Sequence, residues 1–258
     1  MITEFYKYQG TGNDFIVIDD RDNKFDITDS ALISSICERR MGIGADGLIL
    51  LRNHIEYDFE MIYFNSDGNQ SSMCGNGGRC IIAFASLLGL IKEETLFLAA
   101  DGLHKGKLFD ENIALEMNSV NDIKSYNDKF VLNTGSPHLV VFVDDVQSMD
   151  VKLEGGRIRN SDNFSKEGIN VNFVEVNGNE IFVRTYERGV ENETLSCGTG
   201  VVAVAIALHH NKYITEDTVC IKALGGELTV SFEEHNGEYR NVWLTGEANM
   251  VFAGEFIC

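Results

Sequence analysis

Two cysteines stand in the same short pattern, Cys-Gly-x-Gly, at residues 74–77 and 197–200. A long run of small and aliphatic residues follows each pattern, which predicts that the glycines open a buried helix. A loop of this kind presents unpaired backbone N–H groups and the positive end of the helix dipole, so it can bind an anion. The same surroundings favour the thiolate form of a cysteine. Cys74 and Cys197 are therefore predicted to be activatable thiols, each beside part of a carboxylate-binding loop.

Two such thiols match the chemistry of inversion at a carbon acid. One thiolate removes the α-proton from one face, the other thiol delivers a proton to the opposite face, and the helix N-termini stabilise the carboxylate of the carbanion. The sequence has no Gly-x-Gly-x-x-Gly between a strand and a helix, no obvious lysine context for pyridoxal phosphate and no Cys-x-x-Cys pair. We therefore expect neither a cofactor nor a metal.

The positions of the two loops belong to an internal repeat with an offset of 123 residues. Four landmarks share this offset: the Cys-Gly-x-Gly segments, the apolar runs after them, Tyr63 with Tyr186, and Thr11-Gly12 with Thr134-Gly135. Such self-similarity indicates two copies of one supersecondary plan. We predict an N-terminal lobe at residues 1–117, a C-terminal lobe at 118–246, and a final segment, about 247–258, that returns to the first lobe.

Alternating and continuous apolar runs predict more strands than helices. Strands are expected at 15–18, 48–51, 57–63, 96–99, 113–117, 139–143, 171–176, 180–186, 219–222, 227–232 and 241–244, and helices at 30–40, 81–91 and 201–210. The last two helices are apolar almost all round, which is typical of buried helices. The predicted fold class is α+β: two pseudo-symmetric lobes, each a mixed or antiparallel sheet or barrel around a central buried helix, with the active site in the cleft between the lobes.

Composition and charge restrict the partners and the location. A net charge of −19 argues against binding to nucleic acid and to anionic lipid surfaces. The first residues do not resemble a secretory signal, and the longest apolar stretch, 81–91, is too short to span a bilayer. Six cysteines are too sparse for a disulfide scaffold. We expect a cytoplasmic, reduced protein with a small-molecule substrate.

An ordered set of motifs resembles the diaminopimelate epimerase family. The motifs are Gly10-Thr11-Gly12-Asn13-Asp14-Phe15, Gly42-Ile43-Gly44-Ala45-Asp46-Gly47, Asn65-Ser66-Asp67-Gly68, Met73-Cys74-Gly75-Asn76-Gly77-Gly78-Arg79-Cys80, Tyr186-Glu187-Arg188-Gly189, Ser196-Cys197-Gly198-Thr199-Gly200 and Thr245-Gly246-Glu247-Ala248. One Cys-Gly-x-Gly alone would be weak evidence, whereas this ordered set is highly specific.

The resemblance implies a cofactor-independent epimerase that interconverts LL- and meso-2,6-diaminopimelate, in the lysine and peptidoglycan-precursor pathway. It implies two similar lobes, makes a homodimer plausible, and assigns Cys74 and Cys197 as the acid–base pair. The substrate contacts that it implies are Asn13, Asn65, Gly75, Asn76, Asn170, Glu187, Arg188, Gly198 and Thr199.

Side-chain chemistry supports part of this assignment. Arg188 offers a bidentate fork for a distant carboxylate, and Glu187 can accept a hydrogen bond from an ammonium group. The repeat offset makes Asn65 and Arg188 equivalent, and likewise Asn13 with Ser136 and Gly47 with Asn170. His138 and Ser136 are expected to support the site, whereas Arg79 is interpreted as a structural residue.

Three alternatives stay open at this point. Gly47 and Ser136 depart from the commoner family pattern near the expected distant end of the substrate, so a racemase of the same two-thiol design could act on another amino acid. A redox-sensing dithiol protein and a non-catalytic anion-binding module also fit the paired loops. The sequence does not reveal which of Cys74 and Cys197 is the base for the LL substrate.

Overall fold

The computed structural model describes residues 2–109 and 112–257. The chain divides into two compact units, Met1–Leu115 with Gly246–Cys258 (unit 1) and Glu116–Thr245 (unit 2). Strands dominate both units, and each unit has two helices among its described residues. The predicted α+β class is confirmed.

Unit 1 contains the first eight strands and two helices. They are β1 (Ile2–Gly10), β2 (Asn13–Asp19), α1 (Ser30–Cys37), β3 (Gly47–Arg52), β4 (Phe59–Asn65), β5 (Gln70–Ser71), α2 (Gly75–Leu87), β6 (Glu94–Ala99), β7 (Gly102–Phe109) and β8 (Asn112–Met117), whose last two residues belong to unit 2.

Unit 2 begins with an additional strand, β9, and repeats this order from β10 onwards. Its elements are β9 (Ile123–Tyr126), β10 (Lys129–Asn133), β11 (Pro137–Phe142), α3 (Val151–Arg159), β12 (Asn170–Asn177), β13 (Glu180–Glu187), β14 (Asn192–Thr194), α4 (Gly198–His210), β15 (Thr218–Ala223), β16 (Gly226–His235) and β17 (Glu238–Glu247). The chain then returns to unit 1, where β18 (Asn249–Ile257) pairs antiparallel with β1.

Both units use the same strand pairing around a buried helix. In unit 1, β2 and β3 are parallel, β3 and β4 antiparallel, and β4 and β6 parallel. In unit 2 the pairs β11–β12, β12–β13 and β13–β15 repeat these three directions in the same order. Eight consecutive residues of α4, 201–208, are fully buried in the core of unit 2, so the sheet covers this helix on all sides.

The repeat is closest at the two Cys-Gly-x-Gly loops. Helices α2 and α4 have 13 residues each and begin 123 residues apart. The parallel pairs have the same register, since Phe15 lies opposite Gly47 in unit 1 and His138 lies opposite Asn170 in unit 2. The elements that hold the two cysteines are therefore equivalent residue by residue.

Strands β4 and β13, which precede the two Cys-Gly-x-Gly loops, are not related by the same repeat offset as the rest of the two units. This corrects part of the sequence analysis. Leu48 lies opposite Phe64, whereas its equivalent, Val171, lies opposite Tyr186, so β13 is displaced by one residue relative to β4. A displacement by one residue moves side chains to the other face of a sheet.

The equivalences of Tyr63 with Tyr186 and of Asn65 with Arg188 are therefore wrong. Tyr63 contacts the ring of Phe15, while Tyr186 belongs to the cluster that packs against α3. The register equates Asn65 with Glu187. The chain advances 16 residues from Leu48 to its partner Phe64 but 15 from Val171 to its partner Tyr186, and the distance from that partner to the cysteine is then one residue longer in unit 2.

Several predicted element boundaries are also wrong. Helices α2 and α4 begin at Gly75 and Gly198, rather than at 81 and 201, and α2 ends at Leu87. The glycines allow a close approach, since a Cβ at Gly77 would lie 3.3 Å from Ile49 Cδ1. Helix α1 ends at Cys37 instead of residue 40, because the chain turns back and the amides of residues 43 and 44 bond to Ile36 O.

In the part of the chain that the structure describes, none of the helices combines the length and the apolar character needed to cross a membrane.

Candidate active site

Cys74 is the residue directly before α2. Its backbone is extended (φ −97°, ψ 133°), its carbonyl accepts the first helical hydrogen bond from Gly78, at 2.7 Å, and it is half-buried. The helix that follows starts with Gly75 and Asn76, both buried, whose backbone N–H groups belong to the first turn and have no acceptor within the helix. The thiol thus lies at the positive end of the helix dipole.

Cys197 occupies the same place before α4. Its backbone is extended (φ −123°, ψ 109°), and its carbonyl accepts from Val201 at 2.9 Å. Its Sγ lies 3.5 Å from Thr199 Oγ1, and the residue is 8% exposed. With Gly198 first in the helix, this loop offers the same combination of thiol and helix N-terminus as the loop of unit 1.

A chain of side-chain hydrogen bonds fixes the Cys74 loop. Asn76 Nδ2 donates to Asn13 Oδ1 at 2.5 Å, and Asn13 Nδ2 donates to Asp46 Oδ2 at 3.0 Å. On the other side, Arg79 Nη2 donates to Asn76 Oδ1 at 2.9 Å and to Thr11 Oγ1 at 2.6 Å. The orientations of both asparagine amides are thereby determined.

The acidic end of this chain lies in an ion network. Asp14 accepts two hydrogen bonds from Arg39, at 2.7 and 2.9 Å, and lies 2.8 Å from Lys7 Nζ. Arg39 also binds Asp46 at 2.6 Å. Burial tends to raise the pKa of Asp14, but the bonds and charges of Arg39 and Lys7 outweigh it and lower the pKa to about 2. Asp14 is therefore a fixed negative charge that anchors the network at neutral pH.

Asn65 ends β4 directly opposite Gly47 of β3, beside the residues that hold Asn13. The amide of Ser66 donates to Asp46 O at 3.1 Å, so this strand end is tied to the same network. A Cβ at Gly47 would lie 2.5 Å from both Tyr63 Cε2 and Phe64 O. The Tyr63 ring therefore occupies the space that a side chain at residue 47 would need.

In unit 2, His138 is the centre of an uncharged network. Its Nε2 lies 2.9 Å from Thr199 Oγ1 and 3.0 Å from Ser136 Oγ, while Asn172 Nδ2 donates to Nδ1 at 3.1 Å. Since Nδ1 accepts, this pattern assigns the proton to Nε2. Complete burial, assisted by the charge of Arg188, lowers the pKa of His138 to about 3, so the ring is neutral at physiological pH.

The remaining predicted residues of unit 2 are connected to this network. Asn170 Nδ2 donates to Ser136 Oγ at 2.8 Å, and its Oδ1 accepts the amide of Arg188 at 3.0 Å. Arg188 is exposed and bonds to Glu167 O at 2.9 Å. Glu187 accepts from Thr194 Oγ1 at 2.5 Å. Asn170 thus positions the start of the Glu187–Arg188 turn, in addition to its predicted role as a substrate contact.

Within each unit the predicted residues come together around one loop. The sequence analysis did not predict which residues hold these side chains in place through hydrogen bonds and ion pairs. They are Lys7, Thr11, Asp14, Arg39, Asp46 and Asn172, together with Arg79, whose contact with Asn76 was not foreseen. The one sequence signal for these contacts was Arg79, a charged residue near the start of an otherwise apolar helix. In residues 2–109 and 112–257, no group of three or more His, Cys, Asp or Glu side chains is arranged to hold a metal ion.

The fold is shared with solved structures of other proteins. A PhzF-family phenazine biosynthesis protein of Bacillus anthracis superposes with a TM-score of 0.79 at 12% identity, with full coverage of both chains. A hydroxyproline epimerase of Agrobacterium vitis gives a TM-score of 0.69 at 15% identity, over 98% of this chain and 92% of the other. At such low identity the likeness concerns the fold alone, a pair of repeated α+β units.

Sequence comparison is more specific. The family model for diaminopimelate epimerase matches residues 5–121 and 130–251. Diaminopimelate epimerase of Flavobacterium psychrophilum is 50% identical over 96% of this chain and 98% of that protein, and its counterpart from Chlorobaculum tepidum is 41% identical over 95% and 98%. The chain belongs to the diaminopimelate epimerase family and is an isomerase.

Proposed function

We propose that this protein interconverts LL- and meso-2,6-diaminopimelate without a cofactor, with Cys74 and Cys197 as the acid–base pair. The observation that carries the proposal is the equivalence of the two cysteines. Each is the last extended residue before a 13-residue helix that starts with glycine. The substrate comes from the names of relatives that match nearly the whole chain.

The chemistry follows from these positions. The thiolate of one cysteine takes the α-proton, so the C–H electron pair passes into the carbanion and its carboxylate. The thiol of the other cysteine gives its proton to the opposite face of the same carbon, which inverts the centre and leaves that sulfur as the thiolate. The N–H groups at Gly75, Asn76, Gly198 and Thr199 bind the reacting carboxylate and stabilise its growing charge.

Residues that differ between the two units recognise the distant end of the substrate. Arg188 binds the second carboxylate with its planar fork, and Glu187 accepts a hydrogen bond from an ammonium group. Asn13 and Asn65 contribute amide groups from unit 1. The proposed setting is a cytoplasmic step of lysine and peptidoglycan-precursor synthesis, and the proposed assembly is a homodimer.

Deuterium incorporation tests this function. Reduced protein is incubated with LL-diaminopimelate in D₂O, and α-deuterium and the meso product are measured by mass spectrometry and chiral chromatography. We expect both to form, and we expect Cys74→Ser and Cys197→Ser each to lower epimerisation by at least about 10²-fold, because inversion needs both proton transfers.

The controls separate the alternatives. Cys220→Ser removes an exposed cysteine outside both loops and should leave the rate unchanged. Exchange into another amino acid, with none into diaminopimelate, would identify a racemase of different specificity. Normal epimerisation by either serine variant would contradict the assignment of that cysteine.

A further inference from the structure

Arg79 is a buried cation with neutral partners. It lies in the second turn of α2 and is 0% exposed, and its hydrogen bonds go to Thr11 Oγ1, Asn76 Oδ1 and Gly75 O. Its Nε has no hydrogen-bond partner among the described residues. A charge buried in this way is unfavourable unless an anion lies close to it. The first residues of α2, beside Cys74, are where such an anion would lie.

The equivalent loop of unit 2 has no such charge. Val202 occupies the position of Arg79 on α4, 123 residues later, and is fully buried. The buried polar group of that loop is His138, which burial keeps neutral. The charged neighbours of its network are Arg188, which is exposed, and Glu187, which is half-buried and of opposite sign. The two loops therefore share a backbone arrangement but differ in electrostatics.

We propose that Arg79 is a positioning residue of the Cys74 loop, which fixes the Asn76 side chain and makes Cys74, rather than Cys197, the thiolate of the resting protein. The inference deepens the proposed function, because it assigns the base and the acid of the pair before substrate binds. Burial lowers the pKa of Arg79, and attraction to Cys80 and Cys74 opposes this decrease. Arg79 Nη1 donates to the carbonyl of Gly75, the residue directly after Cys74, at 3.3 Å, so its positive charge lies at this loop and favours the Cys74 thiolate.

The other charged and titratable groups around Cys74 do not oppose its assignment as the thiolate. Cys80, the next residue of α2, is fully buried, and burial raises its pKa to about 12, so it stays a neutral thiol. From the β6–β7 turn, Asp101 accepts the amide of Met73 at 3.2 Å and lies 3.1 Å from His104. The Asp101 side chain is 39% exposed, so solvent screens its charge more than that of buried Arg79.

The unaltered chain provides the first test. Reduced protein is treated with iodoacetamide from pH 5 to pH 10, and peptide-resolved mass spectrometry follows the alkylation rate of each cysteine. Accessibility changes the rate but does not change the pH at which the rate rises. We expect the midpoint for Cys74 to lie below the midpoint for Cys197, and an equal or higher midpoint for Cys74 would overturn the proposal.

Substitution of Arg79 provides the second test. In Arg79→Met, which preserves most of the volume, we expect the Cys74 midpoint to move up by about one pH unit, while the Cys197 midpoint in the same protein stays in place. Arg79→Lys should restore the low midpoint, because it retains the charge. Val202→Ala is the matched control in α4 and should move neither midpoint.

Each outcome decides the question. An unchanged Cys74 midpoint in folded Arg79→Met, checked by circular dichroism, would overturn the role of Arg79. If Arg79→Met does not fold, Arg79→Gln, which removes the charge but keeps a polar side chain, takes its place, and the same rise of the Cys74 midpoint is expected. Alkylation needs no substrate, so a protein that fails the deuterium assay but shows the low Cys74 midpoint would contradict the proposed function and support this inference.

Discussion

At the scale of single residues, the two loops fix their side chains by different means. Arg79 brings a charge into unit 1, whereas His138 must stay uncharged in unit 2, since its Nδ1 accepts a hydrogen bond from Asn172. Protonation would turn this acceptor into a donor and would place a charge among buried groups. The neutral ring is therefore required by the arrangement that holds Thr199.

His138 makes a testable contribution to the pH dependence of stability. Its pKa is about 3 in the folded protein and 6.5 in the unfolded chain, so the unfolded state binds the extra proton first. Stability from this residue is present above about pH 6.5 and is lost as pH falls, at up to about 1.4 kcal/mol per pH unit. Urea unfolding of His138→Asn between pH 7.5 and 5 should show a shallower decline than the unaltered chain.

The exposed residue His235 supplies the control for this measurement. His235→Asn should reproduce the decline of the unaltered chain. If His138→Asn declines as steeply as the unaltered chain, the buried ring is not the source of the pH dependence.

At the scale of elements, α3 shows how packing can override helix propensity. It carries Gly155 and Gly156 in its interior, where glycine is unfavourable. A Cβ at Gly155 would lie 2.4 Å from Tyr186 Cβ, whereas the nearest atom to a Cβ at Gly156 is Tyr186 Oη, at 3.5 Å. Gly155→Ala should destabilise the protein by about 1–3 kcal/mol through overpacking.

Gly156→Ala is the matched substitution one residue later. It should be neutral or stabilise the protein by up to about 1 kcal/mol, because alanine is the better helix former. Thermal unfolding of both variants measures the difference. Equal effects at the two positions would show that the contact of α3 with Tyr186 does not determine where glycine is needed.

The same comparison explains what the sequence could and could not predict. Apolar runs located most central strands and both buried helices, because burial leaves a direct signal in residue type. Helix α3 was missed because two adjacent glycines interrupt its helical pattern, and the contact that requires Gly155, with Tyr186 on β13, leaves no local signal in the sequence. Strand β1 was also missed, and it pairs with β18 from the other end of the chain. Strands β9 and β10 were missed although they pair with each other in a local hairpin.

The residues of the site, too, could be predicted only where they leave a local pattern in the sequence. Cys74 and Cys197 could be singled out because each begins a repeated motif whose helix was visible in the sequence. The supporting ion network of Lys7, Asp14 and Arg39 depends on contacts between residues up to 25 positions apart, so sequence spacing did not reveal it. The displacement of β13 was missed because the chain of unit 2 is one residue shorter before Tyr186 and one residue longer after it. The two changes cancel, so the repeat offset at Cys197 is the same as in the rest of the chain.

At the scale of the whole molecule, the repeat explains why one chain carries two similar loops, and the divergence of the units explains how the loops can differ. Equivalent backbones supply each cysteine with the same helix N-terminus. The side chains around them have changed independently, from Asn13 and Arg79 in unit 1 to Ser136 and Val202 in unit 2. Different side chains around equivalent loops are what the proposed substrate, with one reacting and one distant end, would require.

The charge of the whole chain leads to the last prediction. With a net charge of −19 and a pI of about 4.6, the folded state at pH 7.5 is destabilised by repulsion among its carboxylates. Salt screens this repulsion over a distance of about 10 Å at 0.1 M. Raising NaCl from 10 to 300 mM should therefore raise the melting temperature by about 2–4 °C, roughly what 1 kcal/mol yields in a chain of this size. The increase should disappear near pH 4.6, where the net charge vanishes and salt mainly weakens ion pairs such as Arg39–Asp14. A melting temperature that falls with salt at pH 7.5 would show that these ion pairs, rather than the net charge, dominate the electrostatic stability.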